Sequence, residues 1–164
     1  MSFYAWVDES GSDAAADPHT YILAAAVCAG DAVDDARGAM ESLRLVGQRK
    51  VHWRDESDKR RLHLVESVAA IGLEHLVVVR DGRVDERPER RRRHCLERLF
   101  PELAQLGVES ATVESRGPKD DERDSKMLDY MRRKGVLAGA ALHVQHRAGP
   151  ATRCSGRQTW SVER

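Results

Sequence analysis

Apolar and polar positions fall in blocks along the chain, and the blocks predict its elements. Phe3-Tyr4-Ala5-Trp6-Val7 is rich in β-prone side chains and stops at Asp8-Glu9-Ser10-Gly11, a turn cluster. Tyr21 to Cys28 is a continuous apolar run, the pattern of a strand covered on both faces. The polar loop between these two runs makes them a hairpin. Leu76-Val77-Val78-Val79, Val108 to Val113 and Ala140 to His146 supply three further strands. The predicted strands are 3–8, 20–28, 74–80, 108–114 and 140–146.

Helical spacing fills the intervals. Asp31 is placed to cap a helix carrying Val33, Ala36, Met40 and Leu43, with Gly47 closing it. Asp58 is placed to cap a second, with Leu62, Val65, Val68 and Ala69 inward and Gly72 at its stop. Pro88 opens a third, where its missing N–H costs nothing. The apolar stripe of that helix is Cys95, Leu96, Leu99, Leu103 and Leu106, and Pro101 is expected to kink or divide it. Asp120 to Lys134 is a fourth, with Met127, Leu128 and Met131 inward. A hairpin followed by alternating helices and strands predicts one α/β domain over 1–150, a mixed five-stranded sheet with helices on both faces. Residues 151–164 carry no periodicity and no apolar stripe, and read as a frayed or disordered tail.

Composition narrows the function. With 27 basic and 27 acidic residues the net charge is zero, which argues against holding nucleic acid by bulk positive charge. It leaves room for an enzyme that meets nucleic acid at a local site. Aromatic residues make up 5%, too few for a base-stacking surface. The longest apolar run is far short of the ~20 residues a membrane helix needs, so no membrane partner is expected. No basic and apolar leader precedes Asp8, so no signal peptide is expected. Cys28, Cys95 and Cys154 are odd in number and widely spaced, which predicts reduced thiols and a cytoplasmic protein.

The candidate chemistry is carboxylate chemistry. Asp8 and Glu9 end the first strand and Glu114 ends the fourth. If those strands are parallel neighbours, Asp8 and Glu114 finish side by side. Hard divalent cations take such oxygens, so Asp8 and Glu114 are candidate ligands for Mg²⁺ or Mn²⁺. Two metals about 4 Å apart could clamp a phosphodiester there. The same residues also make ordinary polar strand ends. Asp120, Asp121, Glu122 and Asp124 crowd a helix start, where the helix dipole favours acids. Asp124 lies a turn further in and is the one expected to face the cleft. His52, Arg54 and Arg116 are candidates to meet a phosphate, with a structural histidine as the alternative for His52. Arg90 to Arg93 could track a phosphate backbone, but Glu86, Glu89 and Glu97 interleave them and predict a solvated, salt-bridged helix start. His143 and His146 alternate badly for one strand face, which argues against a zinc pair.

Val7-Asp8-Glu9-Ser10-Gly11, the run Tyr21 to Val27, Lys50-Val51-His52-Trp53-Arg54 and Val113-Glu114-Ser115-Arg116 together resemble the domain-of-unknown-function family 3800 over about residues 3–150. The resemblance implies a ribonuclease H-like fold with acidic residues gathered on the central sheet. Asp8 matches the first-strand acid, and Glu9 and Glu114 match more loosely. A metal-dependent nuclease, or another phosphoryl-transfer enzyme acting on nucleic acid, is the function this implies. Catalytic roles would fall to Asp8, Glu9, Glu114 and Asp124. A non-catalytic binding module, or an inactive relic of the fold, is the alternative.

Members of that family end in an apolar helix containing Ala-Asp and then a small residue, which nothing in 151–164 matches. Reading the codons of Thr152 to Arg164 one base earlier admits the string His-Pro-Leu-Leu-Trp-Ala-Ala-Asp-Val-Val-Cys-Gly-Ala. The tail is therefore expected to be an out-of-frame translation of such a helix. Degenerate codons can spell many strings, and that is the competing explanation.

Overall fold

The computed structural model describes residues 2–11, 17–48, 51, 53–137, 139 and 141–148. Five strands form one sheet: β1 (Phe3–Gly11), β2 (Thr20–Ala29), β3 (Glu74–Asp81), β4 (Val108–Glu114) and β5 (His143–Arg147), in the order β3-β2-β1-β4-β5. β1 pairs antiparallel with β2, and β2 antiparallel with β3. β4 runs parallel to β1, and β5 parallel to β4. The four helices are α1 (Val33–Ser42), α2 (Asp58–Ala69), α3 (Pro88–Gln105) and α4 (Pro118–Arg133). This is the mixed five-stranded α/β sheet the sequence predicts.

Strand alternation decides what each face carries. Ala5 and Val7 of β1, Tyr21, Leu23, Ala25 and Val27 of β2, and Ala111 and Val113 of β4 are buried on one face. That face packs against Cys95, Leu96, Leu99, Phe100 and Leu103 of α3 and Met127, Leu128 and Met131 of α4. The opposite face is covered in part. Ala26 and Cys28 are buried there; Leu43, after α1, and Leu64 of α2 are also buried. Val77 and Val79 stay 55% and 60% exposed on β3.

Several local expectations are corrected. Pro101 does not divide α3, which runs unbroken from Pro88 to Gln105. Leu96, Leu99, Phe100 and Leu103 are each fully buried around it, and their packing outweighs the lost hydrogen bond. Ser57, not Asp58, caps α2, its hydroxyl accepting from the Arg60 N–H. Leu62 and Val65, expected inward on α2, are exposed, and Leu64 is the residue buried. Gly30–Ala32 forms a short 3₁₀ turn ahead of α1, and no side chain caps either. β5 begins at His143, later than expected. Gly107 closes α3 with φ of 75°, a left-handed position that its missing Cβ permits.

Candidate active site

The parallel β1–β4 pair builds the centre of the site. The register matches Ala5 with Ala111, Trp6 with Thr112 and Val7 with Val113. The next residues on the two strands are Asp8 and Glu114, side by side where the β1–β4 ladder ends; β1 itself continues to Gly11 along β2, so Asp8-Glu9-Ser10-Gly11 is strand and not the expected turn. Val7 and Val113 point into the core. Asp8 and Glu114 therefore project from the opposite face. Arg147 of β5 pairs with Glu114 in the next register position.

Glu9 and Asp124 lie elsewhere. Alternation turns Glu9 back toward α3, where it meets Arg92. The Arg92 Nε donates to Glu9 Oε2 at 2.7 Å, and its two terminal nitrogens donate to Asp124 Oδ1 and Oδ2 at 2.6 and 2.8 Å. The Arg92 side chain is 1% exposed and that of Asp124 is 5% exposed. The planar guanidinium fork suits this geometry, one edge for each carboxylate. His146 completes the cluster, with Nε2 at 3.1 Å from Asp124 Oδ2. The four acids expected to form one site are thus divided between the two faces of the sheet.

Electrostatics follow from burial. Desolvation alone would pull the Arg92 pKa down, but hydrogen bonds and charge from Asp124 and Glu9 outweigh it and raise it. Tyr21, buried beneath Glu9, has its phenol pushed well above the ordinary tyrosine range, first by burial and then by the Glu9 carboxylate. Arg116 pairs with Glu9 at 3.2 Å and donates to Glu89 at 3.0 Å. Burial is the largest single influence and lowers its pKa, but the charges of Glu9, Tyr21 and Glu89 together outweigh it and leave the pKa raised. Ser115 Oγ donates to Asp121 Oδ2 at 2.6 Å, which ties the loop after β4 to the start of α4.

Arg91 and Arg92 are buried, against the expectation of a solvated arginine run. Arg91 donates to the carbonyl oxygens of Pro18 and Arg83. The helical stripe 92, 95, 96, 99, 103 includes Arg92, and a charge on that stripe was the signal of an internal ion pair. His52 lies outside the described residues, and so does the Arg54 side chain. Trp53–Asp55 forms a 3₁₀ turn, and Arg61 of α2 donates to the Trp53 carbonyl at 2.9 Å.

The donor set discriminates between metal arrangements. Glu9 and Asp124 are already engaged by Arg92, and Glu9 by Arg116 as well. Among the described residues no three His, Cys, Asp or Glu side chains converge to hold a metal ion. A two-metal clamp does not fit these residues. Asp8 and Glu114 fit one hard divalent cation, since Mg²⁺ is commonly held by one or two carboxylates with water and phosphate oxygens completing the shell.

No family model and no curated protein matches the sequence. Solved structures similar to it include the ribonuclease HII of Archaeoglobus fulgidus in complex with PCNA, at 21% identity and a TM-score of 0.46. The ribonuclease H2 of Pyrococcus horikoshii is similar at 16% identity and a TM-score of 0.48. Each match covers 88% of this chain and 63% of the other, so the chain spans less than two thirds of either neighbour. The likeness is one of fold alone. Cys28 and Cys95 are free and buried, and no helix among the described residues is long and apolar enough to cross a membrane.

Proposed function

We propose that the protein is a divalent-metal-dependent phosphoryl-transfer enzyme acting on nucleic acid, with Asp8 and Glu114 holding one Mg²⁺ or Mn²⁺. The observation that supports this reading is the β1–β4 register, in which Asp8 and Glu114 follow the last pair of the parallel central ladder. A bound ion supplies positive charge against the phosphodiester and activation of water. Arg92 fixes Glu9 and Asp124, so these two acids brace the end of β1 against α3 and α4 and stay off the substrate. Arg116, with a side chain 36% exposed at the rim, meets a phosphate. His52 and Arg54 are proposed as further phosphate contacts.

The test is cleavage of a panel of RNA, DNA and hybrid duplexes in Mg²⁺ or Mn²⁺, comparing the wild type with Asp8→Asn and Glu114→Gln. Activity is expected to fall by about 10³-fold or more in each, the scale of removing a charge that stabilises a transition state. The exposed variant Lys126→Ala should retain wild-type rates. Equal activity in wild type and Asp8→Asn overturns the reading.

A non-catalytic binding module is the second reading, favoured by the internal neutralisation of Glu9 and Asp124. Thermal melting in a Mg²⁺ titration separates the two. A folded metal site is stabilised as RT ln(1 + [L]/Kd), by about 2.7 kcal/mol at a hundredfold excess over Kd. The enzyme reading expects that rise in wild type and its loss in Asp8→Asn. No rise in either protein supports the binding module.

A further inference from the structure

The sheet face that carries Asp8 and Glu114 is open over β1, β4 and β5. A groove of about 690 Å³ lies there, lined by Tyr4, Trp6, Thr112, Gln145 and Arg147 with Val33 of α1 on one wall. Tyr4 is 38% exposed and α1 buries no residue of its own, so α1 does not close the groove. The other face of β1 and β4 is packed by α3 and α4, with Val144 of β5 partly buried at its edge. A sheet with one packed face and one that leaves Tyr4 exposed and Trp6 and Thr112 half-buried lacks part of a layer.

The chain reaches this groove at its end. β5 is an edge strand beside the groove and stops at Arg147, leaving 148–164 to follow. As written, that segment is rich in Arg, Ser and Gly and has no apolar stripe. One base earlier its codons behave differently. The shifted codons ending in the first two bases of Cys154 and of Trp160 are N-T-G, which encode only Leu, Met or Val. Trp has a single codon, so the shifted codon after it starts with G and reads Val for a T-C-N serine at 161. By the same rule, Ser155 gives Leu or Phe. Arg157 and Gln158 give small residues for C-G-N and C-A-R codons, Ala among them. Positions 154, 157, 158 and 161 then share one helix face, at i, i+3, i+4 and i+7. Thirteen such residues make a helix of about 20 Å. A nine-residue strand such as β1 spans about 30 Å, so the helix fits along it.

We infer that this groove is the seat of a C-terminal helix encoded one base out of frame with residues 152–164, and that this helix supplies the missing layer over Trp6 and Thr112. The inference rests on the bare face and on codon degeneracy, not on the proposed activity, so either can fail alone.

The test has three arms. The coding DNA after Pro150, read one base earlier, is expected to spell Leu-Leu-Trp and Asp-Val-Val. A frame-restored chain is expected to melt at least about 3 °C above the chain as written, the shift that roughly 1 kcal/mol gives a domain of about 150–250 residues. A labelled peptide His-Pro-Leu-Leu-Trp-Ala-Ala-Asp-Val-Val-Cys-Gly-Ala, titrated into the full 164-residue chain, is expected to bind saturably and to quench Trp6 fluorescence. Thr112→Arg should weaken that binding by about tenfold or more, because it sets a charge beneath a closing apolar face. A stop codon or a different string in the shifted frame overturns the inference, as does a frame-restored chain that melts no higher. A dimer of the written chain that persists in excess peptide also overturns it and assigns the face to a second copy.

Discussion

Arg92 shows how one side chain can reorganise a reading. Its neighbours Arg90 and Arg93 are exposed, and only the helical phase turns position 92 inward beside Leu96 and Leu99. Linear spacing shows the charges but not the partners, because Glu9 and Asp124 lie 83 and 32 positions away. Replacing Arg92 by Met strips the buried Asp124 of its guanidinium and leaves Glu9 with Arg116 alone. We expect a loss of about 3–5 kcal/mol, the usual effect of stranding a buried charge, read as a lower urea midpoint. Arg92→Lys offers no fork and should recover only part of that loss. Tyr21 gives a pH signature. Its raised pKa means that the folded state keeps a proton the unfolded state releases. Stability is therefore fully present below the ordinary tyrosine pKa of about 10 and falls as pH rises above it. Melting temperature measured from pH 9 to 11.5 should decline, and Tyr21→Phe should flatten the decline.

Elements were more legible than their edges. All five strands and four helices are foreshadowed by periodicity, most firmly α3, α4 and the central strands, which present apolar faces to one core. The ends depended on single hydrogen bonds that periodicity does not encode, as with Ser57 in place of Asp58. Pro101 was misread because helix propensity was weighed without the four buried side chains around it. Pro101→Ala is expected to stabilise α3, by at most the ~3 kcal/mol that proline costs a helix interior; a lower melting temperature would contradict this. Gly82, after β3, is a tighter constraint. A Cβ there would lie 2.5 Å from the Arg91 Nε and 2.8 Å from a Glu86 carboxylate oxygen. Gly82→Ala must displace Arg91 from the Pro18 and Arg83 carbonyls it holds, and a loss of about 1–3 kcal/mol is expected in chemical denaturation.

At the scale of the molecule, the nearness of Asp8 and Glu114 follows from the parallel pairing of β1 and β4, although the expected turn at Asp8-Glu9-Ser10-Gly11 is strand as far as Gly11. The division of the four acids between two faces follows from side-chain alternation, which the unbroken string Asp8-Glu9 conceals. His52 and the tail fall outside the described residues, so their expected roles rest on sequence alone. The central pairing has one more consequence. Val7 meets Val113, so the middle of the sheet joins chain segments more than a hundred residues apart. The β1–β2 hairpin can close locally, but the inner edge of β1 stays open until β4 has been synthesised and brought back through a costly loop closure. During translation that edge presents bare N–H and C=O groups to any passing strand. Folding should accordingly be slow for a domain of this size. Its yield on refolding should fall with protein concentration more steeply than equilibrium stability alone would dictate.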